Sequence, residues 1–225
     1  MNVTGRPKKQ PPDTRLFVST PCAHNTALNR QSTSVQDSFL YARSFHTAAK
    51  KLAASLQLAP NPFTGFDVSP VVFMYRHAVE LHLKAMVLGD GGNFLATKPD
   101  ALSVHKIHSV SWLAQFVCQI VTAVKWEKEF KCEGVETLAD FKAVVEEVNS
   151  VDPGSYVFRL PVSAEADDSL TGRAKLTIRE FGRKMDALLE LLDSTADALA
   201  EEWDMQEEGP ESAGGEGKGF EPTIQ

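Results

Sequence analysis

The amino-acid sequence predicts an all-α protein, a four- to five-helix bundle with a short extended strap before the last helix and disordered tails. Apolar residues recur at three- and four-residue steps in several segments, which is the period of amphipathic helices. Stretches rich in Pro, Gly and Asp separate these segments and are typical of turns. Hydrophobic residues make up 43% of the 225 residues and charged residues 24%, so the chain can bury one ordinary core.

The composition divides the chain into a central domain and two tails. Residues 1–33 are rich in Pro, Thr, Asn and Lys, and residues 205–225 are rich in Gly, Glu and Pro. Such segments bury too little apolar surface to offset their conformational entropy, so we expect a disordered basic N-terminal arm and a disordered acidic tail. Residues 34–204 carry the helical periodicity, and we expect one folded domain there.

The net charge of −7 is unevenly distributed. Residues 1–30 carry +4 and residues 205–225 carry −4, which leaves −7 on the body between them. An acidic body argues against nucleic-acid binding over a broad surface, because that mode needs a continuous basic face. A local basic pocket is compatible with this distribution.

The sequence contains neither a membrane-spanning segment nor a recognisable metal or cofactor motif. No run of about 18 apolar residues occurs, and the N-terminus lacks the apolar stretch of a signal peptide, so we expect a cytoplasmic protein without a membrane partner. Cys22, Cys118 and Cys132 are widely spaced, which predicts reduced thiols and no zinc site. The glycines at 89, 91 and 92 follow a helix, so they fit a turn and not a phosphate-binding loop.

Five helical segments and one extended segment follow from the apolar spacing. Ser69 followed by Pro70 is typical of a helix start, because serine caps free N–H groups and proline fits the first helical position. Ser103 is the expected cap of the third helix. Residues 155–165 alternate polar and apolar side chains and contain a proline, which favours an extended strap or a short hairpin. The predicted helices span residues 34–57, 70–88, 103–125, 137–148 and 170–204.

The second helix is apolar around most of its circumference, which predicts a place in the middle of the bundle. Arg76, Glu80 and Lys84 are spaced four residues apart on it, so the central carboxylate can pair with either cation. One interpretation is a structural salt-bridged row. The other is a pocket, because charges on an otherwise apolar helix should be partly buried and must find partners.

Two histidines near the start of the third helix are a second candidate feature. His105 and His108 are three residues apart and would share a helix face. An imidazole titrates near neutrality, so either ring could serve as a general acid or base. A metal ion would need a further ligand, such as Glu80, which the spacing does not identify. The simpler interpretation is an imidazole that caps a helix or packs against the charged row.

These two helices together resemble the HEPN-type helical domain of bacteria. In that family a helix with an Ala-x-Glu-Leu-x-Leu-Lys-Ala-like core is followed, after a loop, by a histidine at the start of the next helix. Here His105 or His108 matches that histidine. The helix core is matched by Ala78, Glu80, Leu81, Leu83, Lys84 and Ala85.

The resemblance implies a helical bundle, often dimeric, in a superfamily associated with RNA cleavage, toxin–antitoxin systems, phage defence and nucleotide binding. Its catalytic members use an Arg-x(4 to 6)-His motif, which Arg76 and His82 match with five intervening residues. On an unbroken helix, however, six steps of about 100° place these two side chains roughly 120° apart. The motif names Arg76 and His82 as catalytic candidates. His105 and His108, at the start of the next predicted helix, are the other two candidates.

The strap adds one more candidate. Tyr156, Phe158, Arg159 and Pro161 resemble an aromatic-Arg-Tyr-Pro strap of some relatives, with Leu160 in place of the tyrosine. Arg159 could face the charged row and help to bind an anion. Alternatively, the two aromatic rings fill the bundle while Arg159 pairs with a surface acid. The candidate pocket thus comprises Arg76, Glu80, Lys84 and Arg159.

Two functions are compatible with these patterns. One is a HEPN-like homodimer that binds or acts on RNA or a nucleotide in a defence, toxin–antitoxin or regulatory setting. The other is a non-catalytic dimeric module that binds a protein partner. The polar row in an apolar helix favours the first, and the acidic body favours the second.

Overall fold

The computed structural model describes residues 35–58, 65–155 and 176–207. These residues contain no strand, only an isolated bridge between Cys132 and Val135, so the predicted all-α class is confirmed for them. None of the described helices is long and apolar enough to cross a membrane. The elements, in chain order, are α1 (Val35–Gln57), α2 (Gly65–Leu88), a 3-10 turn (Asp90–Phe94), α3 (Ala101–Lys106), α4 (Val110–Ala123), α5 (Leu138–Val151) and α6 (Ile178–Glu207).

Helix α2 lies at the centre of the bundle, as its all-round apolar surface predicted. It packs against α1, α4 and α6, and it also contacts α3 and the 3-10 turn. Ala78, Val79, Leu83 and Met86 are fully buried on it. Because a helix surrounded by other helices has little exposed surface, each buried polar side chain on α2 must find a partner within the protein.

The 3-10 turn follows α2 so closely that small residues are required there. Gly91 and Gly92 are buried, and a Cβ at Gly91 would lie 2.7 Å from the carbonyl oxygen of Met86. No side chain fits at that distance. The three glycines therefore form a turn after the helix, in agreement with the sequence.

The start of α2 was predicted wrongly. The helix begins at Gly65, five residues before Pro70, so Ser69 is not its cap and Pro70 lies inside it. A proline there removes one backbone hydrogen bond, which costs least near a helix end. Val68 packs against the core and Val71 is fully buried, which helps to stabilise the additional turn.

The third predicted helix is in fact two helices, α3 and α4. Asp100, and not Ser103, caps α3: its carboxylate accepts hydrogen bonds from the backbone N–H of Ser103 (2.8 Å) and from its hydroxyl (2.9 Å). Ser109 caps α4 by accepting from the N–H of Trp112 (3.3 Å). Residues 107–109 therefore form a junction between two helix ends, which we call the α3–α4 junction.

Helix α5 lies close to its predicted position, whereas α6 begins at Ile178 and not at residue 170, because Leu176 and Thr177 are not helical. Thr137 caps α5 in a reciprocal capping box with Asp140, and the helix continues to Val151. Helix α6 runs to Glu207, into the first residues of the predicted acidic tail, and Leu176 precedes it and is exposed. The predicted N-terminal arm, the strap from residue 156 onward and the remainder of the tail lie outside the described residues.

Candidate functional site

Arg76, Glu80 and Lys84 form a buried charged row on the face of α2 that is turned toward the α3–α4 junction. The three residues are 1%, 1% and 7% exposed, respectively. Their burial agrees with the expectation for charges on an apolar helix. Because an unpaired charge at such depth would be strongly destabilising, the partners of the row determine what it can do.

Arg76 connects three parts of the chain. Its Nη1 donates to Oε2 of Glu80 (2.9 Å), its Nε to the carbonyl oxygen of Asp152 (2.8 Å) and its Nη2 to the carbonyl oxygen of His108 (2.6 Å). Asp152 is the residue that ends α5, where the helix dipole favours a cation. The guanidinium therefore holds both the end of α5 and the α3–α4 junction.

Lys84 has an equivalent role about two helical turns further along α2 than Arg76. Its Nζ donates to Oε1 of Glu80 (2.8 Å) and to the carbonyl oxygen of His105 (3.1 Å), in the last turn of α3. Each cation of the row thus binds one oxygen of Glu80 and at least one carbonyl at a helix end. The ends of α3 and α5 supply carbonyl oxygens as acceptors, whereas the apolar side chains around α2 have none to offer.

Glu80 is ionised in this arrangement. Burial opposes its ionisation, but the hydrogen bonds and charges of Lys84 and Arg76, together with His108, outweigh burial and lower the pKa of the Glu80 carboxyl below its ordinary value. Nδ1 of His108 lies 2.9 Å from Oε1 of Glu80. Because an ionised carboxylate can only accept, Nδ1 must carry the proton of this hydrogen bond.

The His108 side chain is 51% exposed, whereas the Glu80 side chain is 2% exposed. The pair therefore consists of a buried carboxylate and a surface imidazole. A carboxylate that fixes one nitrogen of an imidazole leaves the other nitrogen as a proton acceptor, which is how many catalytic histidines are oriented.

His82 does not join the row. It is fully buried, with Nδ1 3.0 Å from the carbonyl oxygen of Ala78 and Nε2 3.2 Å from Oδ1 of Asp193 on α6. Burial lowers the pKa of His82, although the Ala78 carbonyl and Asp193 oppose this effect. Arg76 and His82 thus bind to different neighbours on different faces of α2, as the helical angle between them indicated, and one chain does not bring them together.

Of the two remaining candidates, His105 and Arg159, the structure describes only His105. The ring of His105 is exposed, and its contribution to the row is its backbone carbonyl. Arg159 lies outside the described residues, so its predicted position beside the row stays a prediction. Within the described part of the chain, no group of three His, Cys, Asp or Glu side chains could hold a metal ion.

Sequence reasoning missed the partners of the row and a second polar region. No side-chain pattern identifies a backbone carbonyl as a ligand, so the roles of Asp152 and of the junction carbonyls had no signal in the sequence. The second region is a polar seam between α1 and α6, which the three- and four-residue spacing of opposite charges on these helices could have indicated. Its members are Arg43, His46 and Lys50 of α1 and Asp186, Glu190, Asp193 and Asp197 of α6.

Comparisons of the chain with protein-family models, with curated proteins and with solved structures gave no match. The fold and site define an all-α bundle whose central helix carries a buried charged row beside a surface histidine. The resemblance to HEPN domains stays a prediction from the sequence.

Proposed function

We propose that this chain is a cytoplasmic, HEPN-like helical protein that binds or acts on RNA or a nucleotide in a defence, toxin–antitoxin or regulatory setting. The observation that carries the proposal is the Glu80–His108 hydrogen bond, which places an oriented imidazole at the surface beside a buried carboxylate. His105 and Lys106 are also exposed at this end of α3. Lys106 and His105 can donate to a phosphate, and the free ring nitrogen of His108 can accept a proton, within an otherwise acidic body.

The test uses purified full-length protein and short labelled RNAs. We expect wild type to bind or cleave RNA, and His108→Ala to reduce that activity at least about tenfold, a loss of roughly 1.4 kcal/mol. His108→Ala should change the melting temperature little, because its side chain is half exposed. Lys128→Ala is the control, because Lys128 is exposed beyond the far end of α4. Wild type that neither binds nor cleaves RNA or nucleotides would contradict the proposal.

A second function, a non-catalytic protein-interaction module, is favoured by a different observation. Glu80 and the two cations beside it bind one another and backbone carbonyls, so the row is fully used inside the protein. A row that only stabilises the fold would be equally compatible with a protein-interaction module and with an enzyme. If Arg76→Ala sharply lowers stability while wild type has no effect on RNA, the module is the better proposal.

For either function we propose a homodimer. Leu40 and Tyr41 are adjacent on α1 and remain 57% and 44% exposed, which provides apolar surface for a second copy. Sedimentation equilibrium should give about twice the chain mass of 24.7 kDa, and Leu40→Glu should shift the protein toward monomer. A wild-type monomer at micromolar concentration would contradict this assignment.

A further inference from the structure

We propose that a cavity between α6 and the segment connecting α4 to α5 binds a small organic cation, an alkylammonium ion with a short apolar body. The cavity has a volume of about 260 Å³. It lies beyond the C-terminal end of α4, a helix of 14 residues and therefore about 21 Å long, whereas the α3–α4 junction lies at the other end. The proposal is thus independent of the RNA-directed function.

Two parts of the chain supply the walls of this cavity. The lining residues of α6 are spaced three and four apart, which places them on one side of that helix, and the connecting segment adds three more. The lining consists of Leu191, Ser194, Thr195 and Ala198 of α6 and of Trp126, Glu129 and Phe130. Leu191, Thr195 and Phe130 are buried. Glu129 and Ser194 are exposed, so the cavity has a floor inside the protein and an opening to solvent.

The connecting segment is fixed by the fold, so the cavity does not need a ligand to form. The backbone N–H of Trp126 donates to the carbonyl oxygen of Val121 (3.0 Å), and the N–H of Phe130 donates to the carbonyl oxygen of Trp126 (2.9 Å). The ring of Phe130 packs edge-on against Phe141 of α5, with 5.1 Å between the ring centroids. Because a preformed site loses little conformational entropy on binding, a small ligand can bind there.

The first argument for a cation is that the lining hydroxyls can only accept hydrogen bonds from a ligand. Oγ of Ser194 and Oγ1 of Thr195 both donate to the carbonyl oxygen of Leu191, at 3.0 and 2.7 Å. A hydroxyl has one proton and two lone pairs, so only lone pairs remain for a ligand. Apart from the indole N–H of Trp126, no described lining side chain has a proton to donate. The ligand must therefore supply donors, as an ammonium group does.

The second argument is the charge of the lining. Glu129 is the only charged residue among the described residues that line the cavity. No ion pair joins its carboxylate to another residue in the described part of the chain. A cation in the cavity would give this carboxylate a counter-charge, whereas an anion would be repelled by it.

The third argument is the presence of two aromatic rings, those of Trp126 and Phe130. The face of an aromatic ring attracts a cation that lies within about 6 Å of its centre, and tryptophan does so most strongly. Leu191 and Ala198 add apolar surface for a carbon chain. The volume is slightly below the roughly 300 to 1,000 Å³ of sites for drug-sized ligands, which favours a short chain.

The test is an NMR titration of ¹⁵N-labelled protein with n-butylammonium at constant pH and ionic strength. The indole N–H signal of Trp126 is assigned by its absence from Trp126→Phe. We expect this signal to shift saturably, with a dissociation constant below about 1 mM, while the signals of Trp112 and Trp203 do not move. 1-Butanol and butyrate carry a neutral and an anionic group on similar chains and should not bind. No shift with butylammonium, or an equal response to butanol or butyrate, would overturn the proposal.

Glu129→Gln tests the carboxylate. We expect this variant to bind butylammonium at least about tenfold more weakly, a loss of roughly 1.4 kcal/mol, and to melt like wild type because the side chain is exposed. Glu127→Gln is the matched control, because Glu127 is exposed in the same segment but does not line the cavity. Wild-type affinity in Glu129→Gln would contradict the assigned charge.

Ala198→Leu tests the position of the ligand. The larger side chain would occupy part of the cavity, so we expect butylammonium binding to be lost while the charge of the lining stays the same. Unchanged binding in this variant would place the cation elsewhere on the protein and would overturn the proposed site.

Discussion

At the scale of single residues, Glu80 is the group on which the buried row depends. Its two oxygens receive Arg76, Lys84 and His108, and its side chain is 2% exposed. We expect Glu80→Gln to lower the free energy of unfolding by about 3 to 5 kcal/mol, because Lys84 loses its buried counter-charge and Arg76 retains the more distant carboxylate of Asp152, 3.9 Å from its Nε. Urea unfolding followed by circular dichroism measures this loss.

The control for this substitution is Glu190→Gln. Glu190 also pairs with a lysine, Lys50, but its side chain is 66% exposed. Exposed pairs contribute little to stability, so this variant should unfold like wild type. Equal effects of the two substitutions would show that burial of the row has no energetic consequence.

The lowered pKa values of His82 and Glu80 predict a loss of stability in acid. A group whose pKa is lowered by folding stabilises the protein above its ordinary pKa and loses that contribution as the pH falls toward the folded value. For His82, which burial keeps neutral, the loss begins below pH 6.5, the ordinary histidine value. For Glu80, which its cations keep ionised, it begins below pH 4.5.

Unfolding free energies measured from pH 8 to pH 4 separate these two groups. For each variant, the free energy of unfolding is compared with its own value at pH 8. Between pH 6.5 and 4.5 we expect this free energy to fall less in His82→Gln than in wild type. Gln119→Ala is the control, because this exposed side chain has no titratable group and its removal should leave the wild-type slope unchanged. An unaltered slope in His82→Gln would contradict the lowered pKa.

At the scale of elements, the division of the third predicted helix into α3 and α4 determines where the site lies. Ser109 caps α4 through its hydroxyl, whereas Ser103 only donates to the true cap of α3, Asp100. We expect Ser109→Ala to cost about 1 kcal/mol and Ser103→Ala clearly less. Thermal unfolding of the two variants measures the difference, and the reverse order would support one continuous helix that starts at Ser103.

The same division explains how buried charges can be stable in this core. A continuous helix would use the carbonyls of His105 and His108 in its own hydrogen bonds. Because the helix is interrupted at residues 107–109, these carbonyls are free to accept from Lys84 and Arg76. The interruption therefore supplies carbonyl acceptors for both cations of the row.

At the scale of the whole molecule, Asp186 on α6 connects this helix to α1 and α2. Its carboxylate accepts from the hydroxyl of Tyr75 on α2 (2.9 Å) and lies 2.8 Å from Nε2 of His46 on α1. We expect Asp186→Ala to cost about 1 to 3 kcal/mol, because the buried tyrosine would lose its acceptor. Asp197→Ala is the control, since Asp197 is 68% exposed and binds only Arg43 among the described residues. Chemical denaturation compares them, and equal losses would contradict a central role for Asp186.

Much of the fold could be predicted because helical periodicity is a local property. The apolar faces of α1 and α6 and the all-round apolar surface of α2 place these helices in one core without reference to any partner. Helix starts were harder. At Pro70 and Ser103 the sequence shows good starting residues, but packing of Val68 and the carboxylate of Asp100 moved the actual starts upstream.

The sequence by itself determined the all-α class, the central position of α2 and the presence of a charged row on it, because each follows from the spacing of side chains along one chain segment. Only the tertiary structure decided that His108, and not His82, meets the carboxylate of that row. The reason is physical: besides Glu80, the partners of Arg76 and Lys84 are backbone carbonyls in the last turn of α3, in the α3–α4 junction and at the end of α5. Every residue has a carbonyl, so only the packing of the helices determines which ones become ligands.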